Sequence, residues 1–253
     1  MQINGQAAIV TGGASGMGAE TARHLAKLGA KVTVLDMNEA AVKQVAQEIG
    51  GLGLLCDVSS AESAEKAVAE ARAAHGPARI AVNCAGVAPA KRIVGRDGPM
   101  ALDDFRKVIE VNLIGTFNML RLAAADMGTL DPLESGERGV IVNTASVAAY
   151  EGQIGQAAYA SSKGGVVALT ICAARDLARS GVRVMTIAPG LIGTPMLLNM
   201  PQEVQDSLAA TVPFPKRFGQ PSEYARLVQH ILENEMLNGE VIRLDGAIRM
   251  APQ

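Results

Sequence analysis

Ala7-Ala8-Ile9-Val10-Thr11-Gly12-Gly13-Ala14-Ser15-Gly16-Met17-Gly18 carries a short apolar, β-branched run into a glycine-rich turn, and a helical run, Ala19 to Leu28, follows. The first part has the length and composition of a buried parallel strand. Glycines in the turn allow a tight reversal and a close backbone approach to a ligand, and the amino terminus of the next helix favours a diphosphate there. Gly12, Ser15, Gly16, Met17 and Gly18 are therefore candidate binding residues.

Outward from this unit the pattern repeats. Apolar runs at Val32 to Asp36, Gly53 to Cys56, Ile80 to Asn83, Val140 to Ala145, Val182 to Ala188 and Val241 to Asp245 alternate with amphipathic helical segments. Strict alternation predicts an α/β fold, a doubly wound, mostly parallel seven-stranded sheet with helices on both faces. The 253 residues show no repeat, low-complexity tract or boundary, so a single domain is expected.

Ligands of such sheets sit at the carboxyl ends of the strands, which singles out several strand exits. Asp36 can accept hydrogen bonds from both hydroxyls of an adenosine ribose and would repel a 2'-phosphate, which favours NAD over NADP; it also suits the N-cap of the next helix. In Cys56-Asp57-Val58 the acid can reach an adenine amino group. The small residues of Asn83-Cys84-Ala85-Gly86 let backbone lie against a cofactor. Each of these short stretches, alone, is also an ordinary strand exit.

Ser146 closes the run Val140 to Ala145. Beyond it, Gln156 to Ala178 is rich in Ala and long apolar side chains and reads as helix, so Tyr159 and Lys163 leave the same face. A phenol titrates near pH ~10, and a neighbouring ammonium favours the phenolate, so the pair predicts a Tyr159 pKa lowered towards that of a usable general base. Tyr and Lys at this spacing are also a common surface pair.

The net charge of −2, with no basic run and 3% aromatic residues, argues against a nucleic-acid partner. Cys56, Cys84, Cys172, His24, His75 and His230 are dispersed without metal-ligand spacing, so no metal is expected. No apolar run of membrane-span length stands out and the start does not read as a signal peptide, which leads to the expectation of a cytoplasmic protein without membrane contact.

With the glycine turn, Asn83-Cys84-Ala85-Gly86, Ser146 and Tyr159-x-x-x-Lys163 in one order, the chain resembles the short-chain dehydrogenase/reductase superfamily over nearly its whole length. The resemblance implies a Rossmann-type fold with a cofactor half over about 1–150 and a catalytic and substrate half over about 151–253. It makes Tyr159 the acid/base, Ser146 the residue orienting the substrate oxygen, and Lys163 the partner of the nicotinamide ribose. Asn112 matches the family Asn that supports a water-linked proton relay to Lys163. Pro189, Gly190 and Thr194 match the segment covering the nicotinamide; Asp57, Val58, Asn83, Ala85 and Gly86 match cofactor contacts. Cys84 departs from the family's usual second Asn.

Asn143 to Gln153, Pro213-Phe214-Pro215 and Asn238 to Met250 narrow the resemblance to the type 2, short-chain 3-hydroxyacyl-CoA dehydrogenases of that superfamily, also known as type 10 17β-hydroxysteroid dehydrogenases. That group implies an NAD-dependent homotetramer oxidising short or 2-methyl-branched 3-hydroxyacyl-CoA. An enzyme acting on a steroid or another secondary alcohol would keep the same catalytic residues. A cofactor sensor without turnover would be expected to have lost Ser146, Tyr159 or Lys163, and a scaffold role is told apart only by measured turnover.

Gln153 and Gln156, between Ser146 and Tyr159, either line the substrate pocket or face solvent. Leu191 to Met200 suits either a lid over an acyl chain or an amphipathic helix on the core. Two long loops are candidate functional segments, Val87 to Ala101, whose Lys91, Arg92 and Arg96 meet either CoA phosphates or water, and Gly128 to Arg138. The small residues Ala157, Ala158, Ala160, Gly164, Gly165 and Ala168 permit close helix approach, within the core or across a subunit contact.

Overall fold

The computed structural model describes residues 1–252 and, at Met196, the backbone alone. Ala7–Thr11 forms β1, buried throughout. Its pleat splits the core: Ala8 and Val10 face one layer, Ala7 and Ile9 the other. The further strands are β2 (Lys31–Asp36), β3 (Leu52–Leu55), β4 (Ile80–Asn83), a small hairpin β5 (Val94–Gly95) and β6 (Gly98–Pro99), β7 (Gly139–Thr144), β8 (Val182–Pro189) and β9 (Val241–Leu244). Apart from the hairpin they form one sheet, in the order β3-β2-β1-β4-β7-β8-β9. Every pairing in it is parallel, so the sheet is wholly rather than mostly parallel. The inner strands β1, β4, β7 and β8 are buried along their whole length, which is why they read as unbroken apolar runs.

The helices are α1 (Gly16–Lys27), α2 (Glu39–Ile49), α3 (Ala61–His75), α4 (Leu102–Ile109), α5 (Gly115–Gly128), α6 (Ala157–Leu177), α7 (Pro195–Leu198), α8 (Gln202–Ala210) and α9 (Pro221–Glu233). α1, α2 and α9 cover one face; α3, α5 and α6 cover the other, with α4 against α6. Between α4 and α5 the helix widens into a single π turn, Glu110–Ile114, a local distortion that often marks a working site. Because only that turn interrupts them, α4 and α5 form a continuous helical stretch, Leu102–Gly128. It and Ala157–Ser180 are long and apolar enough to span a membrane, contrary to the expectation from sequence. Their apolar content has another use here, since α5 and α6 bury Met119, Leu120, Met127, Ala173 and Ala174 against the sheet.

The second long loop, Gly128 to Arg138, is tied down at its ends. Arg138 N–H donates to Gly181 O (2.6 Å), and the Arg79 guanidinium donates to the carbonyls of Asp131 (2.8 Å) and Arg138 (3.0 Å). Residues 79, 138 and 181 immediately precede β4, β7 and β8, so this loop closes the amino ends of the strands, opposite the ligand end.

Candidate active site

Strand order reverses between β1 and β4, and there the carboxyl ends open into a cleft of about 1050 Å³. Thr11 Oγ1 binds the two sides together, accepting the N–H groups of Cys84 and Ala85, both at 3.2 Å. The approach is too close for a side chain. Gly12 has φ 64°, and a Cβ on it would lie 2.7 Å from Ala85 N; one on Gly18 would lie 2.2 Å from Gly12 O. Ser15 is extended and makes no capping hydrogen bond, whereas Asn38 and Ser60 cap α2 and α3 with their side chains. The amino terminus of α1 is thus left open to an anion at the cleft wall.

Asp36 is not the cap of α2; Asn38 is, its Oδ1 accepting Ala41 N–H at 3.1 Å. The Asp36 carboxylate instead accepts from Ala14 N (3.1 Å) and Asn38 N (3.0 Å), tying the end of β2 to the glycine turn on the cleft wall. Asp57, Val58, Ala85 and Gly86 line the same wall, with Ser15, Met17, Pro189, Gly190 and Thr194. Gly16 carries φ 53°, and a Cβ there would stand 3.2 Å from Thr194 Cγ2, so the segment before α7 lies over the start of α1. The Asn83 side chain is buried and donates to Asn143 Oδ1 (2.9 Å) on the neighbouring strand, so any part Asn83 has at the cleft falls to its backbone.

Ser146, Tyr159 and Lys163 meet across the cleft from the glycine turn. Ser146 follows β7 and starts a short 3₁₀ turn, its Oγ accepting Ala148 N–H at 3.1 Å, which leaves its own proton to donate elsewhere. Lys163 Nζ donates to Thr144 O (2.8 Å) and lies 5.8 Å from the centre of the Tyr159 ring. The expectation of a lowered Tyr159 pKa is not met. Burial pushes the phenol above its ordinary value, with the Ser146 hydroxyl beside it pulling back. Lys163 pays the same cost from the other side, its pKa falling to about 8 because the ammonium is desolvated.

This shift has a stability consequence. Lys163 has a folded pKa of about 8 against an ordinary 10.5, so between those values the unfolded chain binds more protons and the folded state gains stability as pH rises. Cys56, raised from 9.0 to about 11, and the raised phenols turn the curve over at higher pH. Relative to Lys163→Met, the cofactor-free wild type is expected to gain about 1 kcal/mol between pH 7 and pH 9. Urea unfolding of both proteins at the two pH values checks it; parallel curves would refute the buried charge.

Asn112 occupies the π turn, but its side chain does not reach Lys163 directly. Oδ1 accepts Val87 N–H (2.8 Å), and Nδ2 donates to Val87 O (2.9 Å) and Ser162 Oγ (3.0 Å), pinning the exit of β4 to α6. Gly86 separates the two groups: a Cβ there would stand 3.1 Å from Asn112 Oδ1 and 3.5 Å from Lys163 Nζ.

Gln156 lines the cleft and its Oε1 is buried without a partner; Gln153 turns away and donates to Ala251 O at 2.9 Å. Leu191, Ile192 and Leu197 line the cleft, and Leu198 and Met200 are exposed. Sequence reasoning passed over Thr144, whose carbonyl holds Lys163, and Tyr224, whose buried hydroxyl bonds Thr144 Oγ1 at 2.7 Å. A Tyr on an amphipathic helix carries no signal of such a task. Met250, also in the cleft wall, went equally unmarked.

The short chain dehydrogenase family matches residues 6–205. The chain is 51% identical to the 3-hydroxyacyl-CoA dehydrogenase type-2 of Homo sapiens over 254 residues, covering 99% of this chain and 97% of that one. It is 50% identical to the protein of the same name from Drosophila melanogaster, covering 99% and 100%. The crystal structure of 3-hydroxyacyl-CoA dehydrogenase type-2 from Mycobacterium avium superposes with a TM-score of 0.92, at 45% identity and 98% coverage of both chains. With the parallel sheet, the glycine turn at its switch point and the Ser, Tyr and Lys side chains facing it, the chain belongs to the short chain dehydrogenase family, an oxidoreductase that uses a nicotinamide cofactor.

Proposed function

We propose that this enzyme oxidises the C3 hydroxyl of a short or 2-methyl-branched 3-hydroxyacyl-CoA to the 3-ketoacyl-CoA, with NAD as its cofactor. The observation that carries the reading is the meeting of Ser146, Tyr159 and Lys163 opposite the open amino terminus of α1, in a chain about half identical to 3-hydroxyacyl-CoA dehydrogenases. The cleft fits the cofactor: the glycines let the turn pack tightly against Ala85, Val34 and its own backbone with no side chain at the strand exit, and α1 offers uncapped N–H groups to a diphosphate. Asp36 supports NAD over NADP, because Ser15, Met17, Leu35 and Met37 beside it on the wall carry no positive charge for a 2'-phosphate. Once bound, NAD accepts a hydride.

In this reading Ser146 donates its free proton to the substrate oxygen and fixes it against Tyr159. Tyr159 takes the hydroxyl proton as the base, and Lys163, held by Thr144 O, sets the charge beside it and meets the ribose. Asn112 holds the Gly86-Val87 backbone against α6 and so shapes the space behind Lys163 through which a water relay would run. Gln156 lines the cleft, and its Nε2, 3.4 Å from Gln153 Oε1, has a second N–H to donate to the thioester carbonyl. Arg92 and Arg96 are exposed and, among the described residues, have no ion-pair partner, which supports a role for them with CoA phosphates; Lys91 is already paired with Asp104.

A homotetramer is the proposed assembly. Ile114, Phe117 and Ile171 are exposed on the π turn, α5 and α6, and the space outside Gly164 is open, while Gly165 packs inward on Leu113. Near the carboxyl end, the half-exposed edge strand β9 supports a second contact.

The substrate is tested by following NADH formation with matched 3-hydroxyacyl-CoA thioesters, free hydroxy acids and hydroxysteroids. Thioesters are expected to lead in kcat/KM by roughly a hundredfold, since binding remote parts of a substrate is used at the reacting centre. Equal values would leave a general secondary-alcohol dehydrogenase instead.

A further inference from the structure

The tail that follows β9 builds one wall of the cleft. Adenosine-side residues sit beyond β1, β2 and β3, and β9 is the opposite edge of the sheet, so a tail leaving β9 meets the cleft at its Ser146 and Gln156 end. Met250 is the tail residue that lines it. Three hydrogen bonds lay this tail along the loop between Ser146 and Tyr159. Met250 N–H donates to Glu151 Oε2 (3.2 Å), Gln153 Nε2 donates to Ala251 O (2.9 Å), and Ile154 N–H donates to Pro252 O (2.9 Å).

Two guanidinium groups hold the arrangement, Arg243 at its centre and Arg249 beside it, paired with Glu151 (3.5 Å) and Asp245 (3.3 Å). Arg243 of β9 forms a two-pronged pair with Glu151 (Nη1 to Oε1 2.7 Å, Nη2 to Oε2 3.0 Å), and donates to Asp245 Oδ2 (2.7 Å) and Ile248 O (3.0 Å). Arg243 and Glu151 are only 23% and 18% exposed, so solvent screens the pair less than a surface bridge. Between strand and tail the chain reverses through Gly246 and Ala247. Ala247 is in the left-handed region, at φ 67°, with its N–H held by Asp245 Oδ1 at 2.9 Å. Strand edge, tail and loop are thus fastened at the Arg243–Glu151–Asp245 cluster, which Arg249 also joins.

We propose that Met250 is a specificity-determining residue of this active site and that the Arg243–Glu151 pair positions it there; this rests on reading the cleft as the substrate site. A thioether side chain fills an irregular apolar wall, and a one-methylene change of fit in such a wall shifts discrimination by roughly ten- to two-hundredfold. The tail wall therefore limits the length or branching of the chain that fits beside Ser146 and Gln156.

The test compares wild type, Met250→Ala, Glu151→Gln and Arg243→Lys on short- and long-chain 3-hydroxyacyl-CoA, and on plain secondary alcohols of matching lengths, with NADH affinity measured by fluorescence titration. Met250→Ala is expected to raise the long-to-short ratio of kcat/KM at least about fivefold, through KM, with NADH affinity unchanged. Glu151→Gln and Arg243→Lys should move the ratio the same way, because each loosens the tail that carries Met250 without changing the Met250 side chain itself. An unmoved ratio in Met250→Ala overturns the proposal. A moved ratio there, with both clamp variants slowing all lengths alike, overturns the positioning half and leaves the pair as a fold contact. Wild-type preference for thioesters over alcohols reports separately on the substrate, and the alcohol series still reads Met250 if that preference is missing.

Discussion

Tyr159→Phe is expected to lower kcat by roughly 10² to 10⁴-fold while cofactor affinity stays within about twofold, because a positioned acid/base contributes about that much. The substitution removes one oxygen and keeps the ring, so the packing beside Lys163, 5.8 Å from the ring centre, survives. The oxygen that is lost is the one beside Ser146 and is the only phenol on the cleft wall, since Tyr159 is the sole Tyr among its lining residues. Turnover by stopped-flow absorbance and NADH binding by fluorescence check the two halves. Retention of more than about a tenth of wild-type kcat would remove Tyr159 from the proton-transfer step.

The second large effect concerns Asp36. Hydrogen bonds to a charged group contribute about 1.5 to 3 kcal/mol, or roughly ten- to a hundred-and-fiftyfold, and the carboxylate also repels a 2'-phosphate. Asp36→Ala should therefore weaken NAD by about that factor and narrow its lead over NADP further, with the gain on the NADP side coming from lost repulsion. Here Asp36 also accepts Ala14 N–H and Asn38 N–H, so the alanine variant loosens the glycine turn as well. Asp36→Asn removes the charge while its single amide oxygen keeps one of the two backbone bonds, so a loss of NAD preference larger than the loss of stability reports the charge. Efficient use of NADPH by the wild type would show that the end of β2 does not select the cofactor.

The features legible without coordinates share one property: each depends on residues close in sequence. The glycine turn needs only its neighbours, because small residues between a strand and a helix amino terminus already specify a backbone approach. Tyr159 and Lys163 share a helical face by spacing alone. The alternation of buried runs and amphipathic helices implied the doubly wound sheet for the same reason, and the structure differs chiefly in strand ends, such as Leu52–Leu55 for β3.

Residues whose roles depend on lateral neighbours were left open or passed over. Asn83 stands at a strand exit, but strand register sets it beside Asn143, and a buried amide takes the partner that register supplies. Gln153 and Gln156 look equivalent in the chain; the carboxyl-terminal tail claims the first and leaves the second in the cleft.

By itself the sequence determined the fold class, the place of the glycine turn and the shared helical face of Tyr159 and Lys163, because strand and helix periodicity convert spacing directly into direction; the roles of Ser146, Tyr159 and Lys163 came from the family resemblance. Only the tertiary structure decided the directions in which burial shifts Tyr159 and Lys163, the anchoring of Lys163 on Thr144 and the capture of Met250 by Glu151 and Arg243. The physical reason is that desolvation and hydrogen-bond partners come from whatever packs alongside. Those neighbours, from β7, α9 and the tail after β9, arrive from separate parts of the chain and are known only once the sheet has ordered them.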